Sequence, residues 1–219
     1  GNYDKIKNVN GRKAADFPFE YGTLLKLNGS GFVQIENCSV DNSLQDASSL
    51  CGCVNAIVAN CRFANVGNNI SSYNYGGTNN AVTFYSYALT DSQSFVNCRY
   101  LKIHDNVVEN VRDECFRIDQ CAYASVKNNS VKICQQHFIE SFQYTNIDCF
   151  LVVDSNCIDY ITGSFIVFNT DIKCNTVCKI INNTITNMLN DTYNSLKEDR
   201  GGGGLCSLNN PNNVDADFY

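Results

Sequence analysis

The chain has 219 residues, 44% of them hydrophobic and 17% charged, with a formal net charge of −6 and a pI of about 4.8. That size and composition exclude a disordered chain and give one domain, or at most two small ones, with a core that needs no disulfide or metal. No run approaches the ~18 apolar residues of a membrane-spanning helix, and the acidic balance argues against nucleic-acid binding by phosphate neutralisation.

Residues 1–23 carry Lys5, Lys7, Arg12 and Lys13 with few strand signals, and are expected to form a cap or a lead-in. Leu25-Lys26-Leu27 is the first apolar alternation. Phe32-Val33-Gln34-Ile35-Glu36-Asn37-Cys38-Ser39-Val40 then introduces a pattern, apolar-x-apolar-x-x-Asn-x-apolar, that returns at 56–63, 101–108, 124–131, 151–158 and 179–185. Its anchor asparagines are Asn37, Asn60, Asn106, Asn129, Asn156 and Asn183, so one interval, from Asn60 to Asn106, is twice the length of its neighbours. A second strand recurs ahead of the anchors, as in Phe84-Tyr85-Ser86, Phe116-Arg117-Ile118, Phe138-Ile139-Glu140 and Phe165-Ile166-Val167. The double-length interval reads as one turn, at about 67–94, that carries a long polar, Gly-rich and aromatic loop. Residues 189–219 include Lys197-Glu198-Asp199-Arg200 and Gly201 to Gly204, and are expected to leave the stack and cap its last rung.

A unit of roughly 25 residues with two or three short strands is too short for a propeller blade, and the leucine-rich consensus is missing. Such units fit turns of a parallel β-helix, with about six to seven coils over 24–188. Alternate side chains would point into a narrow core, and equivalent residues would stack at about 4.8 Å. Two properties account for the 32 asparagines. Asn tolerates the left-handed conformation at a bend, and its side chain can hydrogen-bond up and down a column. The 13 cysteines form no zinc-ribbon spacing: Cys51-Gly52-Cys53 and Cys174 to Cys178 lack partner pairs, so no metal site is expected. Cys38, Cys61, Cys98 and Cys157 each follow an Asn, which suits small, buried, mostly reduced core fillers, with a few disulfides as the alternative for an exported chain.

The repeat, as in Ser125-Val126-Lys127-Asn128-Asn129-Ser130-Val131, resembles the pectin-lyase-like superfamily of right-handed, single-stranded parallel β-helices. More narrowly, with the ending Asn209-Asn210-Pro211-Asn212-Asn213-Val214-Asp215-Ala216-Asp217-Phe218, it is similar to β-helix domains of Bacteroides-type surface proteins. The resemblance implies an extracellular or cell-surface bacterial location and a polysaccharide or surface-glycan partner. Phage tailspikes share the architecture, so a structural fibre or adhesin is a further reading.

Motifs for chemistry are sparse. Asn169-Thr170-Asp171 is an isolated fragment of a polygalacturonase-like set. The densest constellation lies in the middle coils, where Arg117, Asp113, Asp119 and His104 would form the catalytic group of a polysaccharide lyase or glycoside hydrolase. Such a lyase could use calcium; otherwise no cofactor is expected. Phe116 and Ile118 should point inward, leaving Arg117 and Asp119 outward. His137 and Glu140 one coil later are candidate substrate-binding residues, although alternation from Phe138 would turn Glu140 inward. Tyr73, Tyr75 and Tyr85, in or beside the long loop, could stack on sugar rings.

Overall fold

A computed structural model of the chain describes residues 3–7, 10–12, 25–28, 31–41, 47–51, 53–66, 82–85, 98–111, 114–119, 121–143, 148–170, 174–188, 206–209 and 214–218. Among them every regular element is a β-strand. The first triplet is β1 (Tyr3–Lys7), β2 (Asn10–Arg12) and β3 (Leu25–Asn28), and the second β4 (Phe32–Glu36), β5 (Ser39–Asp41) and β6 (Ser48–Cys51). The third is β7 (Asn55–Ala59), β8 (Arg62–Val66) and β9 (Val82–Tyr85), and the fourth β10 (Cys98–His104), β11 (Val107–Val111) and β12 (Phe116–Ile118). The next are β13 (Cys121–Lys127), β14 (Ser130–Val131) and β15 (Ile139–Gln143), then β16 (Cys149–Asp154), β17 (Cys157–Ile161) and β18 (Ile166–Thr170). The last are β19 (Cys174–Ile181), β20 (Thr184–Met188), β21 (Cys206–Asn209) and β22 (Val214–Phe218).

Each member of a triplet joins a different sheet, and every pairing is parallel to the equivalent strand one turn away. Sheet A runs β1-β4-β7-β10-β13-β16-β19-β22, sheet B runs β2-β5-β8-β11-β14-β17-β20, and sheet C runs β3-β6-β9-β12-β15-β18-β21. The fold is a parallel β-solenoid with three faces. Its strands fall into seven triplets, but the solenoid has about four turns, fewer than the six to seven coils expected. Segments expected to be lead-in and tail contribute β1, β2, β21 and β22 to the sheets. Within the expected loop at 67–94, β9 pairs with both β6 and β12.

The core is a stack of columns. Val33, Ala56, Leu101, Ala124, Leu151 and Cys178 form one inside sheet A, and Ile35, Val58, Ile103, Val126, Val153 and Ile180 form its neighbour. Sheet B adds Val40, Phe63, Val108, Val131, Ile158 and Ile185. At the edge of sheet C, Phe116 of β12 meets Phe138 of the next turn's corner edge-on with centroids 5.4 Å apart, and Phe138 stacks on Phe165 at 5.2 Å. These rings supply the large apolar areas that make a narrow core stable.

The bend between sheets A and B corrects the anchor assignment. Asn37, Asn60, Asp105, Asn128, Ser155 and Asn182 occupy the left-handed region, with φ between 52° and 56°. The next residue in each turn is Cys38, Cys61, Asn106, Asn129, Asn156 or Asn183, and this column carries the ladder. Asn37 and Asn60 are therefore conformational residues, whereas Asn106, Asn129, Asn156 and Asn183 are ladder residues; the sequence pattern merges two adjacent columns. Asn129 Oδ1 accepts from the Asn106 backbone N–H at 3.1 Å and from Asn106 Nδ2 at 3.0 Å. Asn156 and Asn183 repeat this toward the residue one turn earlier, at 2.8 to 3.0 Å. Each Nδ2 also donates to a carbonyl of the preceding turn, Asn106 to Val58 and Asn129 to Ile103. Cys61 stands in for Asn: its Sγ lies 3.8 Å from the Ile35 carbonyl, the equivalent acceptor. Among the cysteines expected to be buried fillers, Cys38 and Cys61 are buried, but Cys157 is exposed because it follows a ladder residue instead of occupying the ladder.

Candidate functional site

Alternation along β10 sends Leu101 and Ile103 into the core and Tyr100, Lys102 and His104 onto the outer face of sheet A. Register then builds three outer columns. The first is Phe32, Asn55, Tyr100, Tyr123, Phe150 and Val177; the second is Gln34, Ile57, Lys102, Ser125, Val152 and Lys179. The third is Glu36, Ala59, His104, Lys127, Asp154 and Ile181. Tyr123 stacks on Phe150 with centroids 5.6 Å apart and planes 13° apart, and Lys179 Nζ lies 5.5 Å from the Phe150 centroid. Tyr100 breaks the stack: it is 6.2 Å from Tyr123 and tilted by 47°. At 57% exposure it is the most exposed of the large hydrophobic side chains described.

A local irregularity lies on the β7 side of Tyr100. The backbone N–H groups of Arg99 and Tyr100 both donate to the carbonyl of Val54, at 3.0 and 3.1 Å. Two residues opposing one is the signature of a β-bulge, which re-aims the side chains beside it. The bulge leaves Arg99 and Tyr100 both exposed at the start of the strand. An aromatic face is thus presented beside half-buried Asn55 and exposed Arg99 and Lys102, a combination of apolar plane and hydrogen-bonding groups.

The third column holds one ion pair, between Lys127 and Asp154, and a histidine–aspartate contact beside it. His104 Nδ1 is 2.7 Å from Asp105 Oδ2, and Lys127 Nζ is 3.2 Å from Asp154 Oδ2. The Ser155 hydroxyl, donating at 2.9 Å, and then Lys127 hold the Asp154 carboxyl below its usual pKa.

Arg117, Asp119 and Glu140 come together on sheet C, away from His104 on sheet A. Arg117 Nε donates to Asp119 Oδ2 at 3.1 Å, and its Nη1 is 3.8 Å from Glu140 Oε2. Phe116 and Ile118 are buried inward as expected. Arg117 and Glu140 share one outward column, because Phe116 registers with Ile139 and not with Phe138. Glu140 thus faces away from the lumen, contrary to the alternation counted from Phe138, which belongs to the corner before the strand. Although outward, this column is covered: Glu140 is 1% and Asp119 6% exposed, and Glu114 is buried with them. Burial on its own would lower the Arg117 pKa, but Asp119, Glu140 and Glu114 outweigh it and hold the guanidinium above its usual value. A guanidinium held protonated is poorly suited to abstracting a proton and well suited to offsetting buried carboxylates.

His137 is buried at the turn before β15, where its Nδ1 accepts the Ser164 backbone N–H at 2.9 Å. The ring is therefore unprotonated at Nδ1. Asp113, Tyr73 and Tyr75 lie outside the described residues, as does the side chain of Tyr85, whose backbone closes β9. Among the described residues, no group of three or more His, Cys, Asp or Glu side chains is placed to hold a metal ion.

The aromatic column is not among the sites expected from the sequence, although a signal is present. Tyr100, Tyr123 and Phe150 each precede a ladder asparagine, Asn106, Asn129 and Asn156, by the same interval. Comparison with protein-family models, curated proteins and solved structures finds no match to this chain.

Proposed function

We propose that this chain is a carbohydrate-binding β-solenoid whose recognition face is the outer side of sheet A, centred on Tyr100. The observation that carries this reading is the bulge at Arg99 and Tyr100, which opens an aromatic face beside Asn55 and Lys102. A pyranose offers an apolar C–H face and a rim of hydroxyls. It would stack on the ring and hydrogen-bond to the flanking amide and cations. Parallel strands repeat the column at one coil per ~4.8 Å, so a glycan lying along the solenoid axis would meet Tyr123 and Phe150 in succession. Membership of the pectin-lyase-like superfamily and an extracellular or cell-surface location belong to the same proposal. The covered Arg117 cluster gives no support to cleavage.

The test is a glycan array followed by affinity electrophoresis in the polysaccharides that bind, with product analysis on the same samples. Tyr100→Ala is expected to weaken binding at least about tenfold, which is ~1.4 kcal/mol, without lowering the thermal midpoint. Bound oligosaccharide should be recovered uncut. Failure to bind any glycan, or unchanged binding by both Tyr100→Ala and Lys102→Ala, would overturn the proposal.

A further inference from the structure

Two pairs of cysteines lie next to each other across successive turns. Cys38 lies between the registered pairs Glu36 with Ala59 and Ser39 with Arg62, so it faces Cys61 directly. Both are buried, and their thiols donate to the carbonyls of Glu36 and Ala59, at 3.3 and 3.2 Å, which are themselves a registered pair. One strand spacing of ~4.8 Å falls within the Cα separation of about 4.4–6.8 Å that a disulfide spans. The second pair is Cys115 and Cys134. The Cys115 backbone N–H and the Cys134 thiol both donate to the His137 carbonyl, each at 3.0 Å. Both side chains are buried. All four are reduced in this structure.

We propose that Cys38 with Cys61, and Cys115 with Cys134, are modification sites that form cross-coil disulfides when the chain folds in the presence of a small-molecule disulfide such as oxidised glutathione. In each pair one thiolate attacks the glutathione disulfide, which releases one glutathione thiol and leaves a mixed disulfide. The partner thiolate then attacks the protein sulfur and expels the second glutathione. One protein S–S bond forms and one glutathione S–S bond breaks. The two cysteines lose two electrons and two protons, and oxidised glutathione gains them as two thiols. Burial raises the Cys61 and Cys115 thiols above their usual range, so the closed solenoid offers little thiolate. The reaction accordingly belongs to folding, or to transient opening, of neighbouring turns. Each bond would tie two consecutive coils to one another.

The experiment refolds the full reduced chain in a glutathione redox buffer, alkylates the remaining thiols and maps linked peptides by mass spectrometry without reduction. The expected result is two links, Cys38 to Cys61 and Cys115 to Cys134, each with a loss of about 2 Da. The thermal midpoint should rise by roughly 10–20 °C relative to the reduced protein. Cys38→Ala should lose only the first link and Cys115→Ala only the second, each with part of the thermal gain. The native reduced chain in the same buffer should oxidise far more slowly than the refolding chain. Recovery of these four cysteines as alkylated thiols, linkage to other cysteines in their place, or a lower midpoint on oxidation would each overturn the proposal.

Discussion

Substitution of Asn129 by alanine tests whether the asparagine ladder holds the turns together. Its side chain accepts from the Asn106 backbone N–H and from Asn106 Nδ2, and donates to the Ile103 carbonyl at 3.1 Å and to Asn156 Oδ1 at 2.9 Å. Two neighbours survive the loss in part. Asn106 Nδ2 still donates to Val58, and Asn156 Oδ1 still accepts from the Asn129 backbone. The Asn106 N–H loses its acceptor inside a buried column, and the Ile103 carbonyl loses one donor while its strand pairing with β13 remains. At about 1–3 kcal/mol for the stranded N–H and ~1 kcal/mol for each further bond lost, the expected cost is roughly 2–5 kcal/mol, a large share of the 5–15 kcal/mol typical of a domain. Asn129→Cys should cost less, because a thiol at this position can reach the Ile103 carbonyl as Cys61 reaches that of Ile35. Asn187, exposed and donating to the Asp159 carbonyl, serves as control, and its alanine variant should stay within about 0.5 kcal/mol. Urea unfolding followed by circular dichroism measures all three, with the slope unchanged. If Asn129→Ala cost under about 1 kcal/mol, or no more than Asn187→Ala, the ladder would be ornament on a stack held by its apolar columns alone.

Buried and close-packed groups supply three further outcomes. Burial pushes the Cys61 thiol from 9.0 up to about 12, so its neutral form is favoured in the folded state. That contribution is full below pH 9, falls as pH rises and is gone above about 12; by pH 11 wild type should lose roughly 2–3 kcal/mol in urea titrations that Cys61→Ala does not lose. A Cβ at Gly163 would sit 2.7 Å from both the Gln136 carbonyl oxygen and His137 Nδ1, so Gly163→Ala should lower stability by about 1–3 kcal/mol in the same assay. Arg117→Met removes the cation beside buried Asp119 and Glu140 and should cost about 3–5 kcal/mol. Adding Glu140→Gln should recover part of that loss, and additivity in this double-mutant cycle would refute the coupling.

The fold was legible because a solenoid writes its period into the chain. Apolar alternation in 32–40, 101–108 and 151–158 marks strands, and the regular intervals from Asn106 to Asn129, Asn156 and Asn183 mark turns, whatever the loops between them do. Register was harder. Asn37 and Asn129 look equivalent in sequence, yet one supplies a left-handed bend and the other a buried side chain one position later. Asparagine suits both jobs, and Asn128-Asn129 and Asn182-Asn183 do both in succession, so only the hydrogen bonds separate the columns. The same one-residue ambiguity misplaced Glu140, because Phe138 and Phe116 share a residue type without sharing a register position.

That ambiguity also explains why the candidate site stayed hidden. In a parallel stack a surface is made of residues a whole coil apart, so no local window contains it. Asn55, Tyr100, Tyr123 and Phe150 become one surface only when each strand is placed to the residue. A slip of one sends every aromatic to the opposite face. Charged residues close together in sequence, such as Glu114, Arg117 and Asp119, suggest chemistry, yet proximity along one strand and its corner yields a compact, self-neutralising cluster. Recognition of an extended ligand needs repetition along the axis, and in this chain the property repeated on the outer face of sheet A is aromaticity, with Tyr100 tilted from the stack at its exposed end. Function in such a fold is therefore to be sought in columns counted from the ladder, since the ladder ties sequence position to axial position without slip.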